Sequence, residues 1–271
     1  MTYISVENLS KRFGDTQALE DVSFEIPEGE FVVVLGASGS GKSTLLRCMN
    51  GLTKPTAGTI TIGETEISEP HPDIAMIFQQ HNIIGQMSAY ANALTGSLQR
   101  TSFLRSVFQL NDTDEKYRAL DALETVGLLD EARQRARQMS GGQQQRVGIA
   151  RALVQEPNTL LADEPVASLD PGSSQQVMGY LLAAAQERNL TTVVSLHQVN
   201  LARQFGQRFI GLKDGQKVFD GYAEDFSLEV VDKIYDTVDV DRLTADEDDF
   251  ADASDATDAS STADSTDEVM G

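Results

Sequence analysis

The sequence predicts an α/β fold with a β-rich N-terminal lobe and an inserted helical lobe of about fifty residues. Short apolar runs with the character of buried strands recur at 31–36, 73–78, 159–163 and 191–197. Strands that are covered on both faces form such continuous apolar runs. Between the second and third runs, residues 83–138 have helical character. Strands alternating with helical segments are typical of an open α/β sheet.

The first sixty residues have the pattern of strands. Val22, Phe24 and Ile26 alternate with polar residues, which is the period of a half-buried strand. The segment GTITIG at 58–63 predicts another strand between two glycines. In the later helical region, Leu120, Leu123 and Val126 recur at helical spacing, and we expect that helix to end near Gly127.

Composition limits the environment and the partners. The chain has 271 residues, a net charge of −21 and a single cysteine, Cys48. One cysteine cannot form an internal disulfide, which favours a reducing interior. The N-terminus lacks the long apolar region of a signal peptide, and no eighteen-residue apolar run predicts a membrane span. We therefore expect a cytosolic protein that reaches a membrane only through a partner.

The acidic charge is partly concentrated in the last segment. Residues 244–271 contain ten acidic residues and no basic one, which leaves a charge of −11 for residues 1–243. This composition predicts a disordered tail, because it offers little apolar surface to bury. An acidic surface argues against a nucleic-acid partner. It also suits a high-salt cytoplasm, and the alternative is a solubilising tail on a mildly acidic enzyme.

A glycine-rich segment, GASGSGKST, follows the predicted strand at 31–36. The pattern G-x-x-x-x-G-K-[ST] after a strand predicts a phosphate-binding loop, whose backbone N–H groups and following helix converge on phosphate oxygens. We expect Lys42 to reach the β- and γ-phosphates of a nucleotide and the Ser43 hydroxyl to ligate Mg²⁺. A plain strand–helix turn is the structural alternative. The residues predicted to bind the nucleotide are Gly36, Ala37, Ser38, Gly39, Ser40, Gly41, Lys42, Ser43 and Thr44.

Polar residues also follow three other predicted strands. Asp163 ends the run at 159–163 and is expected to hold Mg²⁺, and Glu164 is expected to act as general base toward a water molecule. His197 could donate to a γ-phosphate, and the Gln79 amide could touch Mg²⁺ or its water. The alternatives are an acidic turn for the two carboxylates and a structural or solvated role for the histidine.

A second glycine-rich segment precedes a predicted helix at Ser140-Gly141-Gly142-Gln143. The two glycines permit close backbone approach, and the helix N-terminus favours an anion. Ser140 and Gln143 also fit a capping box, in which each side chain bonds the other residue's backbone. Both interpretations can hold at once.

Together these motifs resemble the ATP-binding subunit of ABC transporters. In chain order they are the Walker A loop GASGSGKST, the Q-loop FQQ, the signature MSGGQ, the Walker B segment LLADE, the D-loop ASLD and the switch segment SLHQ. The resemblance covers residues 1 to about 237. It implies a P-loop NTPase of ABC type, with a RecA-like core and an N-terminal antiparallel β lobe. The implied domain is 1–243, with its helical subdomain at about 83–150.

The resemblance also implies partners and further site residues. Two copies would pair head to tail, so that Ser140, Gly141, Gly142 and Gln143 of each close over ATP bound by the other. Phe13 would stack on adenine, with a core position as its alternative. Asp170 would cross the interface, and Gln79 would link the γ-phosphate to the helical lobe. That lobe, particularly residues 80–100, would meet a permease.

Closer likeness is to the phosphonate-import ATPases. It is carried by RTSFLRS in the helical insert, by SLHQV, and by KVFDG and VVDKIYD near the C-terminal end. This likeness implies a subunit at the cytoplasmic face of the membrane, working with two permease subunits and, indirectly, an extracellular substrate-binding protein. Phosphate, phosphite or a polar amino acid are alternative cargoes. A soluble ABC ATPase of DNA repair or translation is the alternative from another class.

Overall fold

The computed structural model describes residues 2–79, 82–99 and 113–235. The predicted acidic tail and the segment RTSFLRS lie outside these described residues. The strands are β1 (Thr2–Phe13), β2 (Thr16–Pro27), β3 (Phe31–Leu35), β4 (Ala57–Ile62), β5 (Thr65–Glu66), β6 (Ile74–Ile77), β7 (Thr159–Asp163), β8 (Thr191–Leu196), β9 (Arg208–Lys213) and β10 (Gln216–Tyr222). The α-helices are α1 (Lys42–Met49), α2 (Ala89–Leu94), α3 (Thr113–Thr125), α4 (Gly141–Val154), α5 (Pro171–Glu187), α6 (Val199–Phe205) and α7 (Leu228–Ile234).

The central sheet has six strands in the order β10-β9-β3-β8-β7-β6. The five strands from β9 to β6 are parallel, and only β10 runs antiparallel, as the second strand of a hairpin with β9. The four strands β3, β6, β7 and β8 are the apolar runs of the sequence, and nearly all of their residues are buried. This confirms the predicted strands and the predicted α/β core.

A four-stranded antiparallel sheet, in the order β2-β1-β4-β5, forms the N-terminal lobe. Val22, Phe24 and Ile26 are buried along β2, as their alternation predicts. The two faces of β3 belong to different cores. Val32 and Val34 pack with the antiparallel sheet and α1, while the alternate residues of β3 pack with the helices on the other side. The strand is therefore covered on both faces.

The helical lobe lies between β6 and β7 in the chain. It contains α2 and α3, and α4 runs from it back toward the core. Leu123 and Val126 are fully buried, and Gly127 follows α3 in the left-handed region with φ 64°, as expected. The helix α4 begins inside the predicted subdomain of 83–150 and ends at Val154. No helix in the described part of the chain is both long and apolar enough to cross a membrane.

Candidate nucleotide site

The candidate site lies where the parallel strands of the central sheet end. Leu35 pairs with Leu196 across β3 and β8, and Asp163 pairs with Ser195 across β7 and β8. The chain leaves all three strands at the same level, so the phosphate loop, the acidic pair and the histidine emerge at one edge of the sheet. Ligands bind at this edge in open α/β folds.

The phosphate loop is shaped by glycine and held by an internal hydrogen bond and by the turn between β9 and β10. Gly41 caps α1 with φ 104°, and a Cβ there would come within 2.6 Å of the Ala18 carbonyl oxygen. The Ser40 N–H donates to the Ala37 carbonyl at 3.1 Å, and the N–H of Gly215 in the β9–β10 turn donates to the Ser40 carbonyl at 3.1 Å. The loop is thus set in place within this chain alone. The first N–H groups of α1 have no intrahelical acceptor and are available to an anion.

Lys42 is a buried cation folded back over this loop. Its side chain is 3% exposed, and its Nζ donates to the carbonyl oxygens of Gly36 at 2.7 Å and Ala37 at 3.0 Å. The nearest carboxylate oxygen, Oε1 of Glu164, lies 3.6 Å away. Burial lowers the pKa of the Lys42 ammonium, although Glu164 opposes that shift. A buried cation whose charge is so weakly balanced is suited to receive an anion.

The Ser40 hydroxyl gives a second sign that the loop is built for a ligand. Ser40 is 4% exposed, and its Oγ has no hydrogen-bond partner among the described residues. Buried hydroxyls are normally bonded, so an orphan in a phosphate loop fits a site completed by a ligand oxygen.

Asp163 anchors a hydrogen-bond network around the acidic pair. Its carboxylate is 3% exposed, and Oδ1 accepts from the Ser43 hydroxyl at 2.8 Å and from the Ser195 hydroxyl at 3.0 Å. The same Ser195 oxygen accepts from the N–H of Glu164 at 2.9 Å. Glu164 has φ 45°, an uncommon backbone conformation for a residue other than glycine. Ser195 therefore joins the two acidic residues, and sequence reasoning did not find it.

A cavity of about 170 Å³ adjoins the acidic pair. It is lined by Glu164, Val166, Ala167, Leu196, His197 and Gln198. Glu164 and His197 thus line the same cavity at the ends of neighbouring strands. The structure brings together Lys42, Ser43, Asp163 and Glu164 through direct contacts, and it adds His197 across this cavity.

The signature residues sit apart from this group, at the N-terminus of α4. Ser140 is exposed, its Oγ accepts from the Gln143 N–H at 3.2 Å, and the Gln143 Oε1 accepts from the Ser140 N–H at 2.9 Å. The capping box is therefore present. Gly142 is buried, and a Cβ there would meet Ser173 of α5 at 3.1 Å, so this glycine also serves packing within the chain. Gly141 remains exposed beside the cap.

The remaining candidates lie on the periphery of the site. Phe13 ends β1 and is 51% exposed, with the Lys11 ammonium 4.7 Å from its ring centroid, so the core position considered as its alternative does not hold. Gln79 is exposed, two residues beyond β6. Asp170 caps α5 by accepting from the Ser173 N–H at 2.9 Å. Hydrogen bonding from Ser173 lowers the pKa of Asp170, which keeps its carboxylate ionised.

Comparison with known proteins decides the family. The family described as ABC transporter matches residues 19–167. A phosphonates import ATP-binding protein of Halobacterium salinarum is 63% identical over 252 residues, which cover 93% of this chain and 90% of the relative. A second protein of that name, from Haloquadratum walsbyi, is 60% identical over 236 residues, covering 87% of this chain and 78% of the relative. The chain belongs to the ABC transporter family.

The solved structures agree with this assignment. A dimeric ATP-binding cassette in a post-hydrolysis state, bound to ADP and Pi, has a TM-score of 0.70 and 35% identity. The match covers 81% of this chain and 98% of that cassette. This ABC protein therefore has the P-loop ABC fold that its motifs predict, and it binds and hydrolyses ATP.

Proposed function

We propose that this chain powers an importer that takes up phosphonates, and that it works at the cytoplasmic face of the cell membrane. The relatives named above, at 60% and 63% identity, are phosphonate-import ATP-binding proteins, and this likeness carries the choice of cargo. The residues of the nucleotide site do not identify the cargo. The cargo assignment therefore rests on sequence similarity to these relatives, and the ATPase mechanism rests on the geometry of the nucleotide site.

Lys42 and the phosphate loop bind the nucleotide. The buried ammonium is held by the carbonyls of Gly36 and Ala37, and there it would meet phosphate oxygens bound at the N-terminus of α1. A phosphate competes with Glu164 for this cation, because the ammonium and that carboxylate are 3.6 Å apart. Once Lys42 pairs with phosphate, the Glu164 carboxylate is free to accept a proton from the attacking water.

The residues present also fit Mg²⁺. Ser43 Oγ and Asp163 Oδ1 are 2.8 Å apart, and both are oxygen donors of the kind that Mg²⁺ prefers. The described residues contain no cluster of three or more His, Cys, Asp or Glu that could hold a metal. The ion would therefore take its ligands from these two side chains, from water and from the nucleotide phosphates. There it would neutralise charge on the β- and γ-phosphate oxygens. Gln79 is assigned to the same ion or to its water.

A head-to-tail dimer completes the centre. Ser140 and Gly141 are exposed at the N-terminus of α4, where an anion is favoured, and a related cassette forms dimers. Each signature would close over the nucleotide held by the other copy, and Asp170 would contact the facing protomer. Phe13, with half of its ring surface free, would stack on the adenine. His197 would contact the γ-phosphate from beside Glu164.

A groove between the core and the helical lobe is assigned to the permease. This open groove has a volume of about 370 Å³, and its walls include Leu52 and Phe78 on the core side and Asn82 and Thr95 on the lobe side. Leu52 is 49% exposed, which offers apolar surface to a docking helix. Two permease subunits would occupy the grooves of the dimer, and the extracellular binding protein would act through them. The membrane is then reached only through the permease, and nucleic acid is not a partner.

Uptake in cells tests the whole proposal. Cells lacking the gene should lose uptake of labelled methylphosphonate, wild-type protein should restore it, and Glu164→Gln should not. If cells lacking the gene keep methylphosphonate uptake but lose uptake of phosphate, phosphite or an amino acid, the cargo is reassigned and the ATPase assignment stands. Purification with ribosomes or DNA, in place of membranes and a permease, would contradict the transport role.

A further inference from the structure

We propose that Tyr235 is a positioning residue for ATP hydrolysis, because its hydroxyl ties the start of the phosphate loop to His197. The inference rests on the proposed role of His197 and extends it to a residue that lies outside the region matched by the family, 19–167. The C-terminal helix α7 thereby becomes part of the hydrolytic apparatus.

The Tyr235 hydroxyl bridges two strands at the point where their pairing ends. The N–H of Gly36 donates to Tyr235 Oη at 3.2 Å, and Oη donates to the carbonyl oxygen of His197 at 3.1 Å. The last paired residues of the two strands are Leu35 and Leu196. The chain diverges directly after them, so the tyrosine oxygen supplies one further link between the strands. It fixes the spacing between the loop and the histidine.

The Tyr235 ring also sets the orientation of the histidine. The phenol and imidazole rings are nearly parallel, with 7° between their planes and 5.9 Å between their centroids. This separation is within the range of favourable stacked pairs. Tyr235 is 1% exposed, whereas His197 is exposed on the side of the site. One face of the imidazole is thus supported while the remainder stays open to a ligand.

Tyr235 is itself held firmly. Its N–H donates to the Val231 carbonyl at 2.8 Å, directly after α7, and Val231 and Ile234 are buried. Ile234 packs over Gly211 of β9 so closely that a Cβ there would lie 2.6 Å from its side-chain carbons. Burial raises the pKa of the phenol, so the hydroxyl stays protonated and can donate at every working pH.

A double-mutant cycle on ATPase activity separates positioning from packing. Tyr235→Phe keeps the ring and removes only the hydroxyl. If Tyr235 acts through His197, this change lowers kcat roughly tenfold and leaves KM for ATP nearly unchanged. A tenfold decrease corresponds to losing the contribution of about one hydrogen bond that holds His197 in position. In a His197→Ala background the same change adds almost nothing. Tyr117→Phe, at a position that is 68% exposed, is the matched control and keeps wild-type kcat.

The outcomes distinguish this inference from the proposed function. Suppose that His197→Ala lowers kcat. If Tyr235→Phe then has no effect on kcat, or if the double variant shows the product of the two single decreases, the positioning role is overturned and the ATPase mechanism stands. If His197→Ala leaves kcat unchanged, the role of the histidine and this inference both fail. Should Tyr235→Phe not fold, Ile234→Val loosens the anchor of Tyr235 and should give a smaller decrease in kcat, again without a change in KM; an unchanged kcat then overturns the inference.

Discussion

Removing the Ser195 hydroxyl should weaken both the fold and the geometry of the acidic pair, Asp163 and Glu164. Ser195 is fully buried, donates to Asp163 Oδ1 at 3.0 Å and accepts from the N–H of Glu164 at 2.9 Å. Ser195→Ala leaves a buried carboxylate with one donor fewer and a backbone N–H without its acceptor.

The expected loss follows from these two bonds. A hydrogen bond to a charged group contributes about 1.5–3 kcal/mol, and an unsatisfied buried N–H costs about 1–3 kcal/mol. Together they lower the free energy of unfolding by about 2.5–6 kcal/mol. For a domain of this size, that corresponds to a decrease in Tm of roughly 10 °C. ATPase kcat should also fall, because the backbone of Glu164 loses its tether.

Thermal unfolding followed by circular dichroism measures the effect, with Thr192→Val as the matched control. Thr192 lies on the same buried strand, and its hydroxyl donates to the Leu190 carbonyl at 3.2 Å. Its loss removes one neutral hydrogen bond, worth about 1 kcal/mol. A decrease in Tm that is equal in the two variants, or below about 3 °C for Ser195→Ala, would refute the reasoning that places Ser195 at the centre of the acidic network.

Three further predictions concern the nucleotide loop and its surroundings. Phe13→Ala should raise KM for ATP about tenfold with little change in kcat, since stacking of a base contributes about 1–3 kcal/mol. Leu129→Ala, also on an exposed apolar side chain, is the control, and an unchanged KM removes Phe13 from the site. ATP affinity, measured by calorimetry, should decline with rising pH at values below the usual lysine pKa of about 10.4, because burial lowers the pKa of Lys42 and only its charged form attracts phosphate. Over the same pH range the nucleotide-free protein should become more stable, since its unfolded chain binds more protons than its folded state. An ATP affinity that stays constant up to the usual lysine pKa would contradict the lowered pKa of Lys42. Gly41→Ala should lower the free energy of unfolding by about 1–3 kcal/mol, because alanine is strained at φ 104° and its Cβ would meet the Ala18 carbonyl. Urea unfolding measures this loss, and Gly179→Ala, at a helical position with open space around it, is the control that should not show it.

The parts of the site that could be predicted are those with local patterns. The phosphate loop is a contiguous segment after an apolar strand, and the capping box at Ser140 spans four residues. Their structure follows from nearby glycines and side chains, so the sequence reveals them. The strands were predictable for the same reason, since continuous apolar runs mark strands that are covered on both faces.

Ser195 and Tyr235 could not be found in this way. Ser195 reaches Glu164 across 31 positions of sequence, and Tyr235 reaches Gly36 across 199. In sequence, one is a hydroxyl within a buried strand and the other an aromatic after a short helix, and many such residues have no role at a site. Only the pairing of β7 with β8, and the docking of α7, bring their oxygens to the functional edge. The exposure of Phe13 likewise depends on where β1 ends.

Disulfide crosslinking between copies tests most directly whether the hydrolytic centre is shared by two chains. Ser38→Cys and Ser140→Cys are combined with Glu164→Gln, which should preserve bound ATP if Glu164 is the general base. Both serines are exposed, and the native Cys48 is buried and should give little background. With ATP, oxidation should link two 29.4 kDa chains, and with ADP or in either single-cysteine variant it should not. A link formed only within one chain, or formed equally without nucleotide, would contradict the shared centre.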